Sequence, residues 1–190
     1  DNSSSLRAAS AVDAVADAAR AYVEEAFRCS DSVYVAVATF SRAFVPVIAH
    51  TKNIEALYNA IEDYRADDFR VGTTNLFGSY TDALDYSASA QNAYAGKMAG
   101  GRVTFGQLLF FTDGDDNAQL RTEAHAVAAL NASADEVFMV GLGNLDQAVL
   151  NQLGNGGSVT TDNAATLERV FRDQVGRLQR RQGAVYALGY

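Results

Sequence analysis

Apolar positions along the chain follow two different spacings, and the spacing changes repeatedly. Val12, Val15, Ala16, Ala19, Val23 and Phe27 fall on one face of a 3.6-residue period, which predicts an amphipathic helix over roughly residues 4–28. Ser32 to Phe40 (SVYVAVATF) is rich in β-branched and aromatic residues and reads as a strand. A short turn at Ser41-Arg42 leads to a second strand, Ala43 to Ala49, which carries the chain's single proline, Pro46. Proline cannot donate to a ladder, so this strand is expected at a sheet edge. A turn this short makes a hairpin, so one strand runs antiparallel to its neighbour.

The same reading continues to the end of the chain. Ile54, Leu57, Tyr58 and Ile61 mark a short helix, and Leu76, Tyr80, Leu84 and Ala88 mark one face of another that follows Thr74. Leu108 to Phe111 and Val137 to Leu142 are continuous apolar runs, as expected of strands buried on both faces. Helices are expected over Leu120 to Leu130 and Leu145 to Leu153, then a short strand at Val159-Thr160. Leu167, Val170, Phe171 and Leu178 set a final helix, and the glycine-rich stretch from Gly154 to Gly157 is a loop. Strands alternating with helices predict an α/β fold: a Rossmann-like, doubly wound, mostly parallel central sheet with helices on both faces and one antiparallel edge strand. Residues 1–183 read as one domain and residues 184–190 as the start of a following strand or segment.

Composition narrows the function classes. A hydrophobic content of 48% supplies a core, so disorder is not the expected state. The net charge of -8 argues against nucleic acid or an anionic membrane surface as the partner, since both require a basic face. Cys29 is the only cysteine, which excludes an internal disulfide and a cysteine-based zinc site. No stretch is apolar for long enough to span a bilayer. The chain opens on Asp1, which is read as part of a longer parent chain.

Three segments carry chemistry: Asp1-Asn2-Ser3-Ser4-Ser5 and Gly72-Thr73-Thr74-Asn75, each before a helix, and Thr112-Asp113-Gly114, after a buried strand. Singly, each is explained by helix capping or by a turn. Together they supply two carboxylates and three hydroxyls. These are hard oxygen donors suited to Mg²⁺, Mn²⁺ or Ca²⁺ and unsuited to soft metals. In an open parallel sheet a ligand binds beyond the carboxyl ends of the strands, where Asp113 is expected.

The order Asp-x-Ser-x-Ser, then a distant Thr in a Gly-x-Thr-Asn context, then Thr-Asp-Gly, resembles the metal-ion-dependent adhesion site of von Willebrand factor type A domains and of integrin inserted domains. The resemblance covers nearly the whole chain in element order. It implies that Ser3 and Ser5 coordinate a cation through their hydroxyls, that Asp1 and Asp113 act directly or through water, and that Thr74 joins when ligand binds, with Thr73 as the one-residue alternative. Asn75, Phe77 and Asp115 are expected to rim the ligand surface. Ser4 stands where the family usually has Gly, and Leu6 where it often has Met, without loss of a ligand atom. The family also places an apolar central strand immediately before the first Asp. The chain as it stands should therefore show a gap in the sheet with two unpaired inner edges, and restoring that strand should raise thermal stability.

The resemblance implies a protein-binding adhesion module, not an enzyme, with no catalytic residues. Its divalent cation, Mg²⁺ or else Mn²⁺ or Ca²⁺, is completed by an Asp or Glu carboxylate of a partner protein. A bound cation would invert the local sign of an acidic domain. The alternatives are a metal-dependent hydrolase or phosphoryl-transfer domain, with Asp1 as nucleophile, or a scaffold subunit of an intracellular assembly. An extracellular or cell-surface location is expected over a cytoplasmic one. Motion of the last helix, about residues 165–181, is implied as an affinity switch.

Other features read as structural. Asp113 to Asn117 opens like an EF-hand loop but has Ala118 and Ala124 where Gly and Glu are needed. His50 and His125 have no partner at ligand spacing, and Arg177, Arg180 and Arg181 suit the end of a helix. Asn131-Ala132-Ser133 and Asn2-Ser3-Ser4 match the glycosylation pattern.

Overall fold

The computed structural model describes residues 1–8, 10–67, 72–95 and 106–176. The elements in chain order are α1 (Ser4–Ala8), α2 (Val12–Cys29), β1 (Val35–Phe40), β2 (Phe44–Thr51), α3 (Ile54–Ala66), α4 (Leu76–Ala95), β3 (Gln107–Thr112), α5 (Glu123–Ala132), β4 (Glu136–Leu142), α6 (Gln147–Leu153) and β5 (Gly157–Thr161). A 3₁₀ turn, Ala164–Thr166, leads into a helix over residues 167–176, here α7. None of the described helices is long and apolar enough to cross a membrane. Leu178, Arg177, Arg180, Arg181 and the expected segment 184–190 lie outside the described residues.

β3, β4 and β5 form a parallel sheet with β4 in the middle. Six of the seven residues of β4 are buried because both its faces are covered. Val137 and Met139 point with Phe110 into a core closed by Tyr80 and Leu84 of α4, Leu130 of α5 and Leu150 and Leu153 of α6. Phe138, Val140 and Leu142 point with Phe111 into the opposite core, closed by Leu6, Val15, Leu167 and Phe171. The period-2 alternation of two apolar strands thus divides the helices between two faces.

β1 and β2 pair antiparallel, and Pro46 lies opposite Ala38 on the outer strand, as the edge position of a proline requires. This pair is a separate sheet from β3-β4-β5. The two approach at one end only, where Asn2 N donates to Phe40 O (2.7 Å) and Asp1 N lies 3.3 Å from Phe111 O. Asp1 and Asn2 thus stand where one end of a strand between β1 and β3 would lie, and among the described residues no strand pairs with β1 and β3 beyond them. β3 accordingly is buried only over its last three residues, Phe110 to Thr112, beside Asp1.

Three expectations are corrected. The long first helix is two helices: Ser10 takes φ +53°, and Ala11 N donates to Leu6 O (3.1 Å), turning the chain between them. α5 begins at Glu123 and not at Leu120, because Thr122 Oγ1 caps it by accepting from His125 N (3.3 Å). Leu120 is left 63% exposed in the loop. Ala88 is exposed, and the buried face of α4 runs instead through Leu76, Tyr80, Ala83, Leu84 and Ser87.

Candidate metal centre

The carboxyl end of β3 delivers Asp113 one residue past Thr112. The first turn of the chain delivers Asp1, Ser3 and Ser5 to the same place, and the loop before α4 delivers Thr74. Ser3 lies just ahead of α1 and Ser5 in its first turn, and their hydroxyls meet at the site. Their hydroxyl oxygens are 2.8 Å apart, and they lie 3.2 and 3.0 Å from Asp113 Oδ1. The five predicted ligands therefore divide into a tight oxygen triangle and two flanking groups.

Asp1 is fixed beneath this triangle. Its Oδ1 accepts from Ser3 N (2.8 Å), and its Oδ2 accepts from the Thr112 hydroxyl (2.9 Å). Its carbonyl accepts from the Tyr64 hydroxyl (3.0 Å). Burial raises the pKa of the Tyr64 phenol, with the Asp113 and Asp67 charges acting in the same direction, so Tyr64 remains a donor. Thr74 is 2% exposed and stands against the Asp113 turn: a Cβ added at Gly114 would lie 3.4 Å from Thr74 Oγ1.

The rim residues separate. Asp115 is exposed and Phe77 half-buried, packed against the α4-side core. Asn75 is buried: its Nδ2 donates to Arg42 O (3.0 Å), and its Oδ1 accepts from Gly78 N (3.1 Å). Asn75 therefore braces the β1–β2 turn from below the rim. Thr112, Tyr64, Asp116 and Asn117 also contact the site or its loops and were not singled out as site residues in the sequence. Thr112 sits within the quoted Thr-Asp-Gly segment, but the other three carry no local signal of their partners.

The donor set can be tested against a hard cation. In octahedral coordination at about 2.0–2.1 Å, neighbouring ligand oxygens are about 2.8–3.0 Å apart. The Ser3, Ser5 and Asp113 oxygens are hydrogen-bonded at separations of 2.8, 3.0 and 3.2 Å, close to the edges of one octahedral face, so the set fits such an ion with little rearrangement. Among the described residues no group of three or more His, Cys, Asp or Glu gathers as a metal site. Hydroxyls therefore supply two of the three oxygens of the triangle, and a carboxylate supplies the third.

The fold and these segments define a family. The von Willebrand factor type A domain model matches residues 1–180, and the chain belongs to that family. Among solved structures it is similar to a von Willebrand factor type A protein from Catenulispora acidiphila, at 16% identity and a TM-score of 0.72, covering 93% of this chain and 40% of that one. It is also similar to proximal thread matrix protein 1 of the mussel byssus with a zinc-occupied MIDAS motif, at 19% identity and a TM-score of 0.71, covering 92% and 45%. Manganese-loaded TRAP protein of Plasmodium vivax aligns at 16% identity and a TM-score of 0.57, covering 83% and 65%. The chain spans less than half the length of the first two. The comparison with curated proteins found no match.

Proposed function

We propose that this domain is a metal-ion-dependent protein-binding module. Ser3, Ser5 and Asp113 would hold a divalent cation, with Asp1 and Thr74 completing the shell directly or through water. The observation that carries the reading is the triangle of Ser3, Ser5 and Asp113 oxygens. The cation supplies a Lewis-acidic position for an Asp or Glu carboxylate of a partner protein. Only one of the three triangle oxygens belongs to a carboxylate, so with Asp1 acting through water the cation would keep positive charge for an incoming carboxylate. On a chain of net charge -8 that local reversal is the main electrostatic attraction available to an acidic partner. The metal-bound states in the names of the byssus and Plasmodium proteins support a divalent cation and leave Mg²⁺, Mn²⁺ and Ca²⁺ to be compared directly.

The chain's own residues act by positioning. Thr112 and Ser3 N hold both oxygens of Asp1, and Tyr64 fixes its backbone. Members of this family typically serve as interaction modules, which supports binding over catalysis. The test is capture of a carboxylate-bearing partner or peptide in Mg²⁺, compared with capture in EDTA. The reading expects binding in Mg²⁺ that EDTA abolishes, and equal binding in both would contradict it.

A further inference from the structure

Thr74 and Asp113 come from different loops, yet one side chain ties them together. Thr74 N donates to Asn117 Oδ1 (2.7 Å), while Thr74 O accepts from Asn117 N (3.0 Å) and Ala118 N (3.2 Å). Both main-chain polar groups of a residue only 2% exposed are therefore held by the loop that carries Asp113. Asp116 adds a second tie: its Oδ1 accepts from Phe77 N (3.2 Å), at the start of α4, and its Oδ2 accepts from Gln119 N (3.0 Å). That second bond closes a turn in which Gln119 takes φ +51°, a conformation held by its surroundings. Asn117 is otherwise exposed. Its side chain accepts from outside its own loop, at Thr74 N.

We propose that Asn117 is a positioning residue of the cation site. It locks Thr74 to the Asp113 loop, so that these two segments form one rigid half of the site, facing the half made by Asp1, Ser3 and Ser5. This rests on the reading that Thr74 and Asp113 face a bound cation. With Asn117 in place the two ligand-bearing segments are ordered relative to each other before any ion arrives. Without it, that ordering has to accompany binding and weakens it. An acceptor of the length of an Asn or Asp side chain is required, and Ala provides none.

The test combines cation titration with hydrogen exchange on the full chain, using wild type, Asn117→Ala and Asn117→Asp. Loss of one net hydrogen bond corresponds to about three- to tenfold in an equilibrium. Asn117→Ala is expected to weaken Mg²⁺ about three- to tenfold and to speed exchange of the Thr74 amide in metal-free protein by a similar factor. Asn117→Asp keeps the acceptor and is expected to retain slow exchange at Thr74. This arm stands even where the Ala variant folds poorly. Asn117→Ala with wild-type affinity and wild-type Thr74 exchange would overturn the proposal, as would Asn117→Asp exchanging as fast as a variant with no acceptor. If Thr74 exchange responds as expected but wild type binds no divalent cation, the clamp exists and the cation-site reading fails, taking the positioning role with it.

Discussion

Two aspartates show how differently the same side chain is used here. Asp135, at the amino end of β4, is 2% exposed and accepts from Ser87 Oγ (3.1 Å), Ser133 Oγ (2.9 Å) and the Gln91 amide, all neutral donors. Removing it strands the buried Ser87 hydroxyl and the half-buried Ser133 and Gln91 donors, so Asp135→Ala is expected to lower unfolding free energy by about 2–3 kcal/mol in urea titration. Asp113 is half-buried at the open end of the sheet; its partner Ser5 is exposed to water, and the buried Ser3 hydroxyl keeps Ser5 as a hydrogen-bond partner. Asp113→Ala is therefore expected to change stability by less than about 1 kcal/mol while abolishing divalent-cation binding. Of the two, only Asp113 was legible in the sequence, because its neighbours Thr112 and Gly114 and the distant Asp1, Ser3 and Ser5 form a spaced pattern. Asp135 and Asn117 owe their roles to partners remote in sequence, and single-residue chemistry carries no trace of such a partner.

At the scale of elements, the apolar period located the helices and strands well and their ends poorly. α3 starts where Asn53 caps it, accepting from Ala56 N (3.1 Å), and α6 where Asp146 accepts from Ala148 N (2.8 Å). Leu120, a single large apolar residue three positions ahead of Glu123, extends the helix predicted from the sequence past the cap at Thr122. The break between α1 and α2 had no glycine or proline to announce it: Ser10 adopts the left-handed region that a sequence reading assigns to glycine. Gly78 in α4 gives an element-scale prediction that runs against propensity. Ala there would gain about 1 kcal/mol in an ordinary helix. Here its Cβ would lie 2.4–2.8 Å from the side chain of Asn75, which is buried and bonded to Arg42 O. Gly78→Ala is expected to lower the melting temperature. It should also loosen the turn beside Thr74, read as faster amide exchange at Asn75 and Gly78.

For the whole molecule, the sequence was sufficient for the parallel sheet, the two-sided core and the antiparallel edge pair, because each follows from strand periodicity and one proline. The gap between the two sheets was expected from the family resemblance, not from any pattern in these residues. The site lies at one end of that gap, where Asp1 and Asn2 bridge to Phe111 and Phe40. A cation held there binds the folded state alone, so Mg²⁺ at a hundredfold excess over its Kd is expected to add about 2.7 kcal/mol of stability. A thermal melt should move upward with Mg²⁺ and return with EDTA, and Asp113→Ala should melt at the same temperature in both.

The central claim is that Asp113 and the Ser3–Ser5 hydroxyls form a cation site open to an outside carboxylate. Calorimetric titration of Mg²⁺ and Mn²⁺ into wild type and Asp113→Ala, with and without a small carboxylate, tests it most directly. The account predicts saturable binding to wild type that the carboxylate tightens and the variant loses. A folded wild-type domain that binds neither ion, or a variant that binds both as well as wild type, would contradict it.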